Sequence, residues 1–167
     1  KEEKIKLSRY MFGYAEGDKD VELAKLNPNV VGKSAHWIAE QAGIEVPVDT
    51  SILGVVCKEV GPKEPLSREK LSPVLAFFKS ENEKVGFDLA EKMVSFNGLG
   101  HSAAIHCKEQ KMADDFGELV KAMRIIWNSP STFGGIGNVY NSFLPSLTLG
   151  CGSYGKNSIG GNVSAVN

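Results

Sequence analysis

Residues 72–128 alternate between two hydrophobic periods, and that alternation restricts the fold of this chain more than any other feature. The run 72–78 (SPVLAFF) is short, apolar and continuous, as in a strand covered on both faces. Over 81–96 the apolar residues Val85, Leu89, Met93 and Phe96 recur at spacings of four, four and three, which line one side of a helix. A strand at 102–107 is predicted next, then a second amphipathic helix at 108–123 with Met112, Phe116, Leu119, Val120 and Met123 inward, then a strand at 124–128 (RIIWN). Strands separated by helices must be joined by crossovers. The segment therefore predicts an α/β fold, a largely parallel open sheet with helices on both faces.

The alternation extends backward. Ser34 is placed to cap a helix over 35–42 and Gly43 to end it, and 51–60 (SILGVVCKEV) predicts a further strand. Residues 4–12 fit either helix or strand and 13–20 a turn-rich connection, so 1–29 carries no single assignment within the one domain expected over 1–167. Beyond Asn128 the composition shifts to Gly, Ser, Asn and Pro. The stretch 129–167 is expected to be glycine-rich loop and short strand, without the apolar stripe of a helix.

Composition excludes several partners. With 19 basic and 20 acidic residues the net charge is −1, which offers no electrostatic footprint for nucleic acid or an anionic membrane. No apolar run approaches a bilayer's thickness, and the charged start Lys1-Glu2-Glu3-Lys4 lacks the apolar stretch of a signal peptide. A start at Lys rather than Met is expected to mark a processing, cloning or disorder boundary. Cys57, Cys107 and Cys151 are odd in number, widely spaced and without a Cys-x-x-Cys pair, which fits a reducing, cytoplasmic setting. At 167 residues and 42% hydrophobic content, the chain can still bury a real core.

Two glycine patterns imitate a dinucleotide fingerprint. Gly98-Leu99-Gly100-His101-Ser102-Ala103 fits G-x-G-x-x-A, yet it follows a predicted helix and opens a strand, the reverse of the order that sets phosphate on a helix N-terminus. Gly150-Cys151-Gly152-Ser153-Tyr154-Gly155 fits G-x-G-x-x-G, but no helix pattern and no acidic residue follow it. Tight turns and close backbone approach account for these glycines equally well. Cys151, flanked by glycines, is open to approach as a nucleophile, or is a small packing residue with no basic neighbour to activate it. His101 and His106, five apart along a strand, would point to opposite faces, so a zinc site with Cys107 is not expected and no metal is assigned.

Taken together, Glu69-Lys70-Leu71-Ser72-Pro73, Gly98-Leu99-Gly100-His101 and the run from Pro145 to Ser158 resemble the CoA-acylating aldehyde dehydrogenase part of the bifunctional aldehyde-alcohol dehydrogenases. The resemblance covers about 30–158. Tyr154 and Lys156 depart from the tryptophan and glycine expected at those places. It implies a partial aldehyde dehydrogenase catalytic domain, with the nucleophilic cysteine and the NAD-binding domain upstream of Lys1. Glu69 would then hold the nicotinamide-side ribose of NAD, since an ionised carboxylate accepts from both hydroxyls. Leu149 would lie against the same cofactor. His101 would manage the proton when CoA exchanges with an enzyme thioester, as imidazole titrates near neutrality. Gly135, Cys151 and Gly152 would shape the acyl pocket.

The implied reaction converts acetyl-CoA and NADH reversibly into acetaldehyde, CoA and NAD. Iron enters only if an alcohol dehydrogenase half lies downstream. The family also implies a homo-oligomer, and the polypeptide alone is expected to be inactive, since hydride transfer needs both centres within contact distance. A non-catalytic oligomerisation or binding module is the alternative of a different class, and a phosphate-binding Rossmann domain the third.

Overall fold

Helix α1, Glu2–Phe12, opens the chain with Glu2 and Glu3 in its first turn and Arg9 in its last, each sign placed where the helix dipole favours it. Gly13 ends it in the left-handed region at φ 78°, its N–H donating to the Arg9 carbonyl at 2.8 Å. The structure is a computed structural model that describes residues 1–137, 141–145, 152–156 and 158. These fall into two compact units, Lys1–Leu89 and Ala90–Asn167.

In the first unit α1 buries Leu7, Ser8, Met11 and Phe12, one helical face. Helix α2, Ala35–Gln41, starts where the Ser34 hydroxyl accepts from the Trp37 amide at 3.3 Å, and it buries Ala35, Ile38 and Ala39. Strands β1, Leu53–Val56, and β2, Val74–Phe77, pair in parallel with Leu53 opposite Val74. The inward side of this ladder, Val55 and Val74, closes a core with Met11, Val30, Ile38 and Leu66. Met11, Val30, Ile38 and Leu66 are fully buried, and each such side chain contributes about 1.5–3 kcal/mol. The opposite face leaves Val56, Leu75 and Phe77 exposed.

Helix α3, Glu83–Asn97, spans the boundary between the units. Asn82 caps it, its side-chain oxygen accepting from the Val85 amide at 3.0 Å. The second unit is a strand–helix–strand crossover: β3, Ser102–Ile105, then α4, Gln110–Leu119, then β4, Arg124–Trp127, parallel to β3 with Ser102 opposite Arg124. Ala113, Phe116 and Val120 are buried in this unit, as are Ile105 of β3 and Ile126 of β4. A short helix α5, Ser131–Ile136, packs on β3 and β4.

The parallel α/β architecture is as the sequence predicts, with the strands paired in two ladders among the described residues. One open assignment is settled and two local expectations are corrected. Residues 4–12, left open between helix and strand, lie within α1. The helix expected over 108–123 stops at Leu119, because Val120 turns to an extended ψ of 121°, and Leu119 is exposed rather than inward. The stretch after Asn128 contains α5, despite its two glycines. The stripe of α3 is present as helix, but Val85 and Met93 on it remain exposed and α3 has no buried residue.

Candidate active site

The candidate residues fall in both units, and each unit presents its own part. In the first, Glu69 sits on the connection from β1 to β2, a parallel crossover made without an α-helix. A 3-10 turn, Pro65–Ser67, carries the chain along α1, which packs against it. The Ser67 hydroxyl donates to the Glu64 carbonyl at 2.7 Å and accepts from the Gly61 amide at 3.1 Å, which ties the turn to its own entrance. Lys70 folds back underneath. Its ammonium donates to the Leu66 and Arg68 carbonyls, each at 2.7 Å. Leu71 follows with φ 46°, and its carbonyl accepts from the Gly32 amide at 3.1 Å.

Glu69 stands on this braced loop with its side chain exposed, and its carboxylate makes no hydrogen bond or ion pair among the described residues. An acceptor-only group held by its backbone and free at its tip suits a diol. Behind it lies a buried polar group. Lys4 pairs with Glu64, and Cys57 is 3% exposed beside them. Burial, with the charge of Glu64, pushes the Cys57 thiol up to about 11, so it is protonated and inert at neutral pH. Burial holds the Lys70 ammonium below the ordinary lysine value, against the opposing pull of Cys57, Glu69 and Glu64.

In the second unit His101 is half-buried just before β3, with its main chain fixed on both sides. Its amide donates to the Gly98 carbonyl at 2.9 Å, and its carbonyl accepts from the Met123 amide at 3.0 Å. Gly100, at φ 78°, makes the turn that delivers it. The motif thus runs from helix α3 into strand β3, the order in which the glycines serve a turn rather than a phosphate loop. Gly135 of α5 is brought beside this place: a Cβ there would lie 3.0 Å from the Ser102 hydroxyl oxygen. Gly152 is buried with φ 64°. Leu149 and Cys151 lie outside the described residues.

His106 is exposed beyond β3, and among the described residues no group of three or more His, Cys, Asp or Glu is arranged to hold a metal ion. No helix of the described residues is long and apolar enough to cross a membrane. Lys70 and Glu64 escaped sequence reasoning because a lone Lys or Glu in a loop is ordinarily solvated. Only the adjacency of Lys70 to Glu69 within the quoted phrase pointed to it.

No family model matches the chain. Sequence comparison gives strong relatives. The chain is 61% identical over all 167 residues to an aldehyde-alcohol dehydrogenase of Streptococcus pneumoniae, of which it spans 19%. It is 55% identical over 166 residues to aldehyde-alcohol dehydrogenase 2 of Entamoeba histolytica, again 19% of that protein. The chain thus covers about a fifth of these relatives. Among solved structures, an acetylating aldehyde dehydrogenase from Geobacillus thermoglucosidasius superposes on 99% of the chain with a TM-score of 0.85 at 38% identity, the chain covering 34% of it. By sequence this chain is homologous to one segment of the aldehyde-alcohol dehydrogenases, and by fold it matches a third of an acetylating aldehyde dehydrogenase.

Proposed function

We propose that the chain supplies part of an NAD-dependent, CoA-acylating acetaldehyde dehydrogenase, in which acetyl-CoA, NADH and a proton are interconverted with acetaldehyde, CoA and NAD. The observation that carries this reading is the identity of 61% over the whole chain with the pneumococcal enzyme, together with a braced loop that offers the Glu69 carboxylate to solvent. The acyl group would travel as a thioester on a cysteine contributed by sequence that precedes this segment in the relatives. NAD, when bound, supplies or takes up the hydride.

The residues of this chain bind and move protons. Glu69 accepts hydrogen bonds from the two ribose hydroxyls and so orients the nicotinamide end, with Leu149 against it. His101 takes the thiol proton of incoming CoA and returns it when CoA leaves. Gly135, Cys151 and Gly152 border the acyl group, where Gly135, having no Cβ, lets α5 come close to Ser102. The setting is cytoplasmic, and the assembly a homo-oligomer, for which the exposed Val56, Leu75 and Phe77 offer an apolar face. That face also supports the second reading, a non-catalytic oligomerisation module.

The test replaces the matched stretch of the pneumococcal enzyme with this chain. Glu69→Gln is expected to raise KM for NADH by about tenfold, the loss of a charge-assisted hydrogen bond. His101→Ala is expected to lower CoA-dependent turnover by about a hundredfold or more. Unchanged kinetics in both variants would overturn the reading. The chain alone is expected to show no turnover, and size-exclusion showing oligomers without NADH affinity would favour the module.

A further inference from the structure

We infer that Lys70 is a positioning residue, whose buried ammonium fixes the main chain that presents Glu69. The inference rests on the reading that Glu69 contacts the cofactor, and it goes beyond it by assigning what holds that carboxylate in place.

A lysine is rarely buried without partners, because its charge loses hydration. Lys70 is 8% exposed, and the partners it finds are two carbonyl oxygens at 2.7 Å, those of Leu66 and Arg68. Those carbonyls belong to the turn immediately before Glu69. One ammonium therefore grips the chain at two points on the approach, while its own backbone forms the exit. The next residue, Leu71, sits at φ 46°, a conformation that a branched side chain adopts only when its surroundings enforce it. The Gly32 amide, bonded to the Leu71 carbonyl at 3.1 Å, holds that exit. The Ser67 hydroxyl holds the entrance through Glu64 and Gly61.

These restraints act on the backbone between Gly61 and Leu71, on either side of Glu69, and none acts on its carboxylate. A loop that needed only to connect β1 to β2 would have no use for a buried cation and a strained leucine. A loop that must present one exposed acceptor at a fixed place has use for both. Lys70 is the restraint nearest to Glu69. It is also the one that donates to two carbonyls of that approach.

The test has two readouts. In the full 167-residue chain, hydrogen exchange at the Glu69 and Lys70 amides is compared between the native protein, Lys70→Met and Lys70→Arg, with the amides of Ser102–Ile105 as internal reference. Lys70→Met is expected to speed local exchange by at least about tenfold while the reference is unchanged, and Lys70→Arg, which keeps the cation, to restore most of the protection. In the pneumococcal enzyme carrying this chain, Lys70→Met is expected to raise KM for NADH by about tenfold, with kcat within about twofold. Unchanged exchange at Glu69 overturns the inference. So does faster exchange with unaltered KM, provided Glu69→Gln itself raises KM. If Glu69→Gln leaves KM unaltered, the cofactor reading of Glu69 has failed, and the inference falls with it. Should Lys70→Met not fold, Lys70→Gln is measured in the same way against the same outcomes.

Discussion

The ammonium of Lys4, on α1, is paired with the carboxylate of Glu64, a side chain only 1% exposed at the head of the Glu69 loop. The pair joins the first helix to the connection that carries Glu69 by a charge contact set into the core. Lys4→Met would leave a buried carboxylate without its cation and is expected to lower stability by about 3 kcal/mol, read from urea unfolding. The double variant Lys4→Met with Glu64→Leu should recover much of that loss, because it removes the stranded charge as well.

The same pair predicts a pH dependence. Burial by itself lowers the Lys4 pKa, but the hydrogen bond and charge of Glu64 outweigh it and hold the group above the ordinary 10.5. A folded-state value raised above the unfolded one gives stability that is complete below 10.5 and is lost as pH rises through the folded value. Cys57 acts in the same direction. Its thiol ionises near 11 when folded against 9.0 in the open chain, so the folded state retains its proton longer and stability falls between these values. Cys57→Ala is expected to flatten the fall between pH 9 and 11 by on the order of 2 kcal/mol, measured as urea midpoints across the alkaline range.

The two central glycines of α5 should differ in their tolerance of a methyl group. A Cβ at Gly134 would lie 2.6 and 2.7 Å from carbons of Ile126, a buried strand residue with little room to move. Gly134→Ala is expected to destabilise by about 1–3 kcal/mol through overpacking. A Cβ at Gly135 would meet the Ser102 hydroxyl at 3.0 Å, an atom that can rotate away. Gly135→Ala should therefore leave the melting temperature near its native value while narrowing the space beside Ser102.

At the far end of β3 and β4, Asn128 and Cys107 bond reciprocally. The Cys107 amide donates to the Asn128 side-chain oxygen at 3.0 Å, and the Asn128 side-chain amide donates to the Cys107 carbonyl at 2.8 Å. Asn128 is also left-handed at φ 52°, a conformation asparagine tolerates. Asn128→Ala loses both bonds and adds strain, with an expected cost of about 2 kcal/mol. Asn128→Gly keeps the backbone relaxed and should cost about half as much, so thermal melts of the two variants separate the hydrogen bonds from the strain.

Much of the fold was legible because its signals are local. Ser34 caps α2 as its side chain requires, Gly43 at φ 67° follows it, and the apolar runs become β2 and β4. What escaped depended on three-dimensional contacts that residue type alone does not announce. Two adjacent glycines argue against helix by propensity, yet α5 is present, and its Gly134 approaches Ile126 more closely than a side chain would allow. Lys70 reads as a solvated charge in sequence, and only the carbonyls of Leu66 and Arg68 make it an interior group. For the candidate site, three quoted phrases singled out Glu69 and His101 but not the groups that restrain the loop around Glu69.

Leu71 shows how stability and use can be opposed at one position. Its side chain is 53% exposed and its backbone is left-handed, so glycine there would be the more comfortable occupant. Leu71→Gly would ease the main chain and slacken the hold on the neighbouring carboxylate in a single step. Selection for thermal robustness alone would tend to discard the leucine, and stabilising screens on this chain are best kept away from that residue.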